Sequence, residues 1–146
     1  MPDERHDPFR SFNFRLEIDN LPIAAFSEVS GLNAETNVAE YRTGTAKELH
    51  VSKLPGLHKH GNLTLKRGMV KDSTLWDWFR NIEHGVADRR DGAVILLDEQ
   101  RSDVLRWRFA DAWPMKMSFS DLKAAGNELA IESIELVVET MRLEVA

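Results

Sequence analysis

Between Phe12 and Ile18 every second residue is apolar: Phe12, Phe14, Leu16 and Ile18 alternate with Ser11, Asn13, Arg15, Glu17 and Asp19. A period of two predicts a strand with one buried face and one wet face. Asp19-Asn20 is turn chemistry, and a second strand-like run begins near Ile23, so the pattern predicts an opening hairpin. Glu35 to Arg42 reads as a third strand. Thr43–His60 follows as a long connection holding Gly44, Pro55 and Gly56. Connections beyond about 12–15 residues in compact domains are usually functional or flexible. Asn62 to Arg67 alternates again, with Leu63 and Leu65 on one face, until Gly68 ends it.

The period then changes. Leu75, Trp78, Phe79 and Ile82 recur at helical spacing, which predicts one amphipathic helix over Ser73–His84. Asp72 or Ser73 supplies an N-cap, and Gly85 stands where a left-handed C-cap belongs. Trp76 lies off the apolar stripe, either at its boundary or in contact with another subunit. Ala93–Leu97 is an apolar run suited to a strand buried on both faces. In Val104–Trp113, Leu105, Trp107 and Phe109 face inward between Arg106 and Arg108, and Pro114 is expected to break the ladder. Met115, Met117 and Phe119 resume alternation, and Asp121–Asn127 reads as a loop.

Leu129–Val145 carries two patterns. Ile131, Ile134, Val138, Met141 and Val145 fit a helix, whereas its β-branched residues favour a strand. As a strand it changes parity midway, which requires a bulge or burial on both faces. The elements together predict a mainly β, α+β chain.

At 146 residues the chain suits one domain with a hydrophobic core of its own. The absence of cysteine removes disulfides and thiolate catalysis. Residues 1–10 hold no apolar stretch of the kind a secretory signal needs, and no run approaches the roughly 20 apolar residues of a membrane span. Synthesis and assembly in a cytoplasm, with release by lysis, are therefore expected. A net charge of −5 argues against a general nucleic-acid footprint. Local basic groups do gather at Lys47, Lys53, Lys59, Lys66, Arg67 and Lys71, beside His50, His58 and His60. The Thr43–His60 segment also holds Leu49, Val51, Leu54 and Leu57, more apolar side chains than a disordered linker carries.

Catalytic signatures do not emerge. No phosphate-binding loop, dinucleotide fingerprint or nucleophile elbow is present. His58-Lys59-His60 places two imidazoles on one side of a strand, with His50 near in sequence, but without a carboxylate ligand a surface segment is the better account. Glu128, Glu132, Glu135 and Glu139 read as an acidic surface rather than an acid–base pair. Trp107, Phe109 and Trp113 read as core rather than as a base-stacking platform.

In order, the stretches SFNFRLEID, FSEVSGLNAE (Phe26–Glu35), VAEYRTG (Val38–Gly44), KLPGLHKHGNLTLKRG (Lys53–Gly68), WDWFRNI (Trp76–Ile82) and Asp111–Glu139 resemble the tail tube proteins. These form the inner tube of contractile phage tails and extracellular contractile injection systems. The resemblance covers nearly the whole chain, residues 1–146, as one tail-tube domain. It implies two packed antiparallel sheets in a barrel or sandwich with one flanking helix, and a long strand for Leu129–Val145. It also implies a structural protein without enzymatic activity or cofactor, in rings of six that stack into a hollow tube. Partners implied are further copies of itself, a sheath protein, spike and baseplate proteins, and a tape-measure protein, cargo or DNA in the lumen. The tube would travel as part of a virion or injection particle. A minor paralogue that starts the tube on the spike shares this pattern, and a monomeric ligand-binding β-barrel would share the strands. Residues 43–60 are the expected interaction loop, with inter-ring or inter-subunit contacts at Lys47, Leu49, Val51, Leu54, Pro55, Gly56 and Leu57, and with Trp76 on the helix.

Overall fold

The structure is a computed structural model and describes residues 13–19, 21, 26–45 and 50–146. Among the described residues, nine strands and one helix follow in the order β1 (Phe14–Ile18), β2 (Glu28–Ser30), β3 (Ala34–Tyr41), β4 (Ser52–His60), β5 (Leu63–Gly68), α1 (Thr74–Glu83), β6 (Arg90–Leu97), β7 (Asp103–Phe119), β8 (Ile131–Val137) and β9 (Thr140–Val145). All pairings among them are antiparallel. Seven strands form one path, β1-β6-β7-β8-β5-β2, with β9 on β7, while β3 and β4 pair only with each other.

Strand β7 makes this path a sandwich rather than a closed barrel. Its first part, Leu105 to Ala110, pairs with β9 while the same stretch pairs with β6. Its second part, Trp113 to Phe119, pairs with β8. Between them Asp111 sits at φ 54°, a left-handed conformation that aspartate tolerates better than most residues. One side of the bend belongs to β1-β6-β7-β9, the other to β7-β8-β5-β2, and the two layers face each other across one core. Leu16, Ile18, Val94 and Phe109 from the first meet Leu63, Leu65, Ile134 and Leu136 from the second, with Leu75 and Trp78 of α1. Pro114 does not break the ladder. It is buried opposite Leu136, and a register shift before Lys116 absorbs its missing donor.

The opening hairpin is corrected. Leu21 N–H donates to Ile18 O at 3.2 Å, and the expected start of the second strand near Ile23 lies outside the described residues. Strand β1 pairs with β6, from Phe14↔Leu96 to Ile18↔Gly92, and β2 pairs with β5, so the two lie at opposite ends of the path. Alternation identified a half-buried strand, with Leu16 and Ile18 buried and Glu17 exposed. It carried no information about the partner.

Two further expectations change. Thr43–His60 is not one long loop, because Ser52–His60 is β4 and continues the β3 strand as a hairpin arm. Pro55 and Gly56 read as turn residues, yet they occupy a bulge: β3 advances from Thr36 to Val38 while β4 runs from His58 to Pro55. Proline is tolerated there because β4 is an edge strand. The closing segment is two strands, not one. Ile134, Leu136 and Val138 point into one layer; β9 then turns Met141 onto the core from the other, opposite Phe109. The parity change marks the crossing between layers, at Val138–Glu139.

Helix α1 matches its expected span to within one residue at either end. Asp72 Oδ1 accepts from Thr74 N at 2.9 Å, capping the first turn. Gly85 follows the helix at φ 79°. The helix is pinned through Trp78, whose Nε1 donates to Asp88 O at 2.8 Å. Arg90 lies over the same indole, 4.8 Å from its centroid, and forks onto Asp88 at 3.1 and 3.0 Å. Asn81 adds a bond to Asp88 at 3.0 Å. These hydrogen bonds, Arg90's first, hold the Asp88 carboxyl below its ordinary range.

Strand β6 is buried on both faces, as its sequence predicts. Val94 joins the central core, while Ala93, Ile95 and Leu97 form a second cluster on the outer side. Long charged side chains on neighbouring strands flank that cluster: Arg15 and Arg106 lie beside Ile95, Glu17 and Arg108 beside Ala93. Apolar stems covering apolar surface is a common role for arginine.

Candidate assembly surfaces

The arm β3–β4 is the least self-supported part of the described chain. Every β3 residue is exposed, and in β4 only Gly56 and His60 are partly covered. Its register places Val38 and Pro55 on one face, and Ala39, Tyr41 and Leu54 on the other. Val38 is 64% exposed, Tyr41 54%, Leu54 52% and Leu57 78%. Nearer the body, Lys59 pairs with Glu35 at 2.7 Å, which raises the Lys59 pKa, and Thr36 meets His58 at 2.7 Å. A lone two-stranded hairpin is marginal in water. Apolar groups on both of its faces therefore lack cover among the described residues.

The expected contact residues divide accordingly. Leu54, Pro55, Gly56 and Leu57 fall together in the middle of β4. Val51 is half-buried just before that strand. Lys47 and Leu49 lie outside the described residues. Trp76 is separate: it stands on α1, 40% exposed, with Phe79 at 5.7 Å and Phe119 at 6.0 Å between ring centroids.

Around Trp76 lies a surface that no single sequence segment announced. Gly68 pairs with Ile131, Met69 N donates to Ala130 O at 2.9 Å, and Ser120 N donates to Ile131 O at 2.8 Å. Those bonds set Met69 and Ile131 at one end of the β5–β8–β7 layer, while Phe119, opposite Glu132, turns to the inner face, where Trp76 of α1 meets it; Met69, Val70, Trp76, Phe119 and Ile131 are all exposed. Beneath them Arg67 and Glu132 form a buried pair through Arg67 Nε and Glu132 Oε1. Arg67 also reaches Asp72 at 3.7 Å and lies 5.7 Å from the Phe26 ring centroid. Gly68 and Ile131 are distant in sequence, and Phe119 arrives from a third strand.

The outer faces of both layers are polar. On β2, β5, β8 and β7, Glu28, Lys66, Ser133 and Ser118 form one cross-strand row, and Ser30, Thr64, Glu135 and Lys116 the next. On the opposite layer Arg15 bridges Glu17 and Asp103, each at 3.1 Å, and Arg106 joins Asp103 at 3.1 Å. The Asp103 hydrogen bond leads the upward shift of the Arg15 pKa. Arg108 and Arg142 each reach Glu144 at 2.9 Å. An open depression of about 820 Å³ on this side is lined by Glu17, Asp91, Arg106, Arg108 and Arg142 among others. It is charged and open, whereas the sandwich interior is filled with side chains, an arrangement unlike an apolar ligand cavity.

The carboxylates of the closing segment are dispersed. Glu132 pairs with Arg67, Glu135 accepts from Asn62 at 3.2 Å, and Glu139 pairs with Arg89. Among the described residues no group of three or more His, Asp or Glu side chains is placed to hold a metal ion. Among them, too, no helix is long and apolar enough to cross a membrane.

A family model described as "T4-like virus tail tube protein gp19" matches residues 10–142. A chain from the cryo-EM structure of the anti-feeding prophage (AFP) baseplate, six-fold symmetrised, is 26% identical with a TM-score of 0.85, over 97% of this chain and 98% of that one. A chain of the AFP tube-terminating cap is 22% identical with a TM-score of 0.88, over 100% and 97%. A chain of the extended PVC sheath–tube complex, from an extracellular contractile injection system, is 22% identical with a TM-score of 0.86, over 97% and 94%. No curated protein sequence matches the chain.

Proposed function

The chain belongs to the T4-like virus tail tube protein gp19 family, and we propose that it builds the inner tube of a contractile injection system or phage tail as six-membered rings stacked into a hollow cylinder. What carries this reading is the arm: two paired strands, exposed throughout β3 and over most of β4, that no other strand of the described chain pairs with. The sandwich supplies a wall. Both outer faces are polar, so one suits an aqueous lumen and the other a surrounding sheath. The path ends in β1 and β2, and β9 has one partner, so edge strands are available for pairing between subunits. Head-to-tail contacts that close make a ring; those that do not close make a filament along the axis. The lumen would conduct cargo or DNA once the sheath contracts, and the particle would assemble in a cytoplasm before release.

Electron microscopy of the purified protein tests the reading. Rings or tubes of one width are the expected result. A chain that stays monomeric at high concentration, alone and with sheath and baseplate components, would remove it. A second reading, a tube-initiating subunit, is favoured by the similarity to an AFP baseplate chain. It predicts single rings that need a spike or baseplate component to grow, whereas a main tube subunit grows on its own copies.

A further inference from the structure

Each layer of the sandwich has one corner of its inner face that the other layer leaves uncovered. On the first layer an inner row runs Leu16–Val94–Trp107–Leu143, and the next row ends in Leu105–Val145. Cover falls toward the β9 edge: Leu16 and Val94 are buried, Trp107 is half-buried, Leu143 is 55% exposed and Val145, at the corner, 82%. On the second layer the inner row Arg67–Glu132–Phe119 ends in the same way, with Arg67 and Glu132 buried and Phe119 46% exposed. Trp76 of α1 stands against Phe119 and is itself exposed. The two corners sit by the two ends of β7, since Val145 pairs with Leu105 and Phe119 closes the strand. Opposed across the core they would bury each other. Both are exposed, so they point apart.

We infer that the Leu143–Val145 corner of one copy packs on the Trp76–Phe119 corner of a second copy of this chain beside it in the same ring. The inference rests on the tube reading and names the contact that closes the ring. Three observations support it. Each corner lacks what the other supplies: one is the inner face of the first layer without its opposite layer, the other the inner face of the second. A single contact thus continues the two-layered wall from copy to copy. The corners are dissimilar and lie by different ends of β7, and head-to-tail contacts between dissimilar surfaces are what close into rings. Their charges are opposed as well. Arg108 and Arg142 on the first edge share the carboxylate of Glu144, whereas Asp72, Asp77 and Asp121 near the second outnumber Lys71 and Lys123.

The cysteine-free chain allows a direct test. Val145→Cys and Phe119→Cys are made separately and together, assembled, and joined with a short bismaleimide. A mixture of the two single variants should give covalent dimers, while either single variant alone should not. The double variant should give a ladder that stops at six chains, because its links run round one ring. Normal assemblies without mixed crosslinks would overturn the contact and leave the tube reading intact. A ladder that continues past six would make the contact axial and overturn the ring assignment. Failure of the unmodified chain to assemble at all would remove both. Val145→Asp separates this contact from cover by the chain's own residues 1–12. The isolated variant should keep the urea midpoint of the unmodified subunit and lose ring formation. A lowered midpoint would mean that the corner is covered within the chain, and would overturn the inference.

Discussion

Two antiparallel strand pairs in this molecule have similar hydrogen bonding and opposite physical circumstances. In β5–β8, Leu63, Leu65, Ile134 and Leu136 have no exposed surface, and their strands share one core with α1. In β3–β4, comparable strands keep nearly every side chain in solvent. Backbone pairing alone is worth little net free energy in water, so burial decides which pair is stable by itself. The first pair belongs to the fold. The second is the part that the proposed assembly would cover.

The contrast predicts effects on the isolated subunit that fall steeply from core to arm. Trp78→Ala removes the largest fully buried side chain and the donor to Asp88 O, and should lower unfolding free energy by about 3–5 kcal/mol, read from urea denaturation. Glu132→Ala leaves the buried Arg67 guanidinium without its carboxylate and should cost a similar ~3–5 kcal/mol. If either variant unfolds at the wild-type midpoint, the region does not carry stability as described.

The arm should answer differently. Leu54→Asp with Leu57→Asp should change subunit stability by only about 0.5 kcal/mol or less, because both residues are exposed. The same double variant should leave rings but abolish their stacking in negative-stain images. Tubes of normal length from it would break the comparison, since the arm would then be dispensable to assembly.

The smallest effect is on pH dependence. Asp88 has its carboxyl pKa lowered in the folded chain, chiefly by Arg90, then by Asn81. A lowered folded pKa means stability that is present above the unfolded-state value and lost as pH falls through the folded one. Acid denaturation curves should therefore steepen below the ordinary carboxylate value of 3.8, and Asp88→Asn should flatten that limb while leaving the arm untouched. An unchanged acid limb would mean the Arg90 fork contributes nothing measurable.

Much of the wall was legible in order. Alternation at Phe14–Ile18 and Leu63–Arg67, the helical spacing around Trp78 and the doubly buried Ala93–Leu97 each follow from which side chains avoid water, and that preference is local. The same local logic misread β4, because Pro55-Gly56 signals a turn in most contexts and a bulge in this one. It located Leu54 and Leu57 as unusual for a loop, yet could not see Phe119 of β7 meeting Trp76 of α1.

By itself, the sequence determined several strands, the helix and the apolar excess of residues 43–60, since period and residue type act over neighbouring positions. Tertiary structure alone decided the partners. It set β1 against β6 rather than β2, bent β7 at Asp111 to serve both layers, and split the closing segment where its parity changes. It also brought Trp76 of α1 against Phe119 of β7. The reason is that period tells a strand which face to bury, while the choice of neighbour depends on how distant segments close around one shared core.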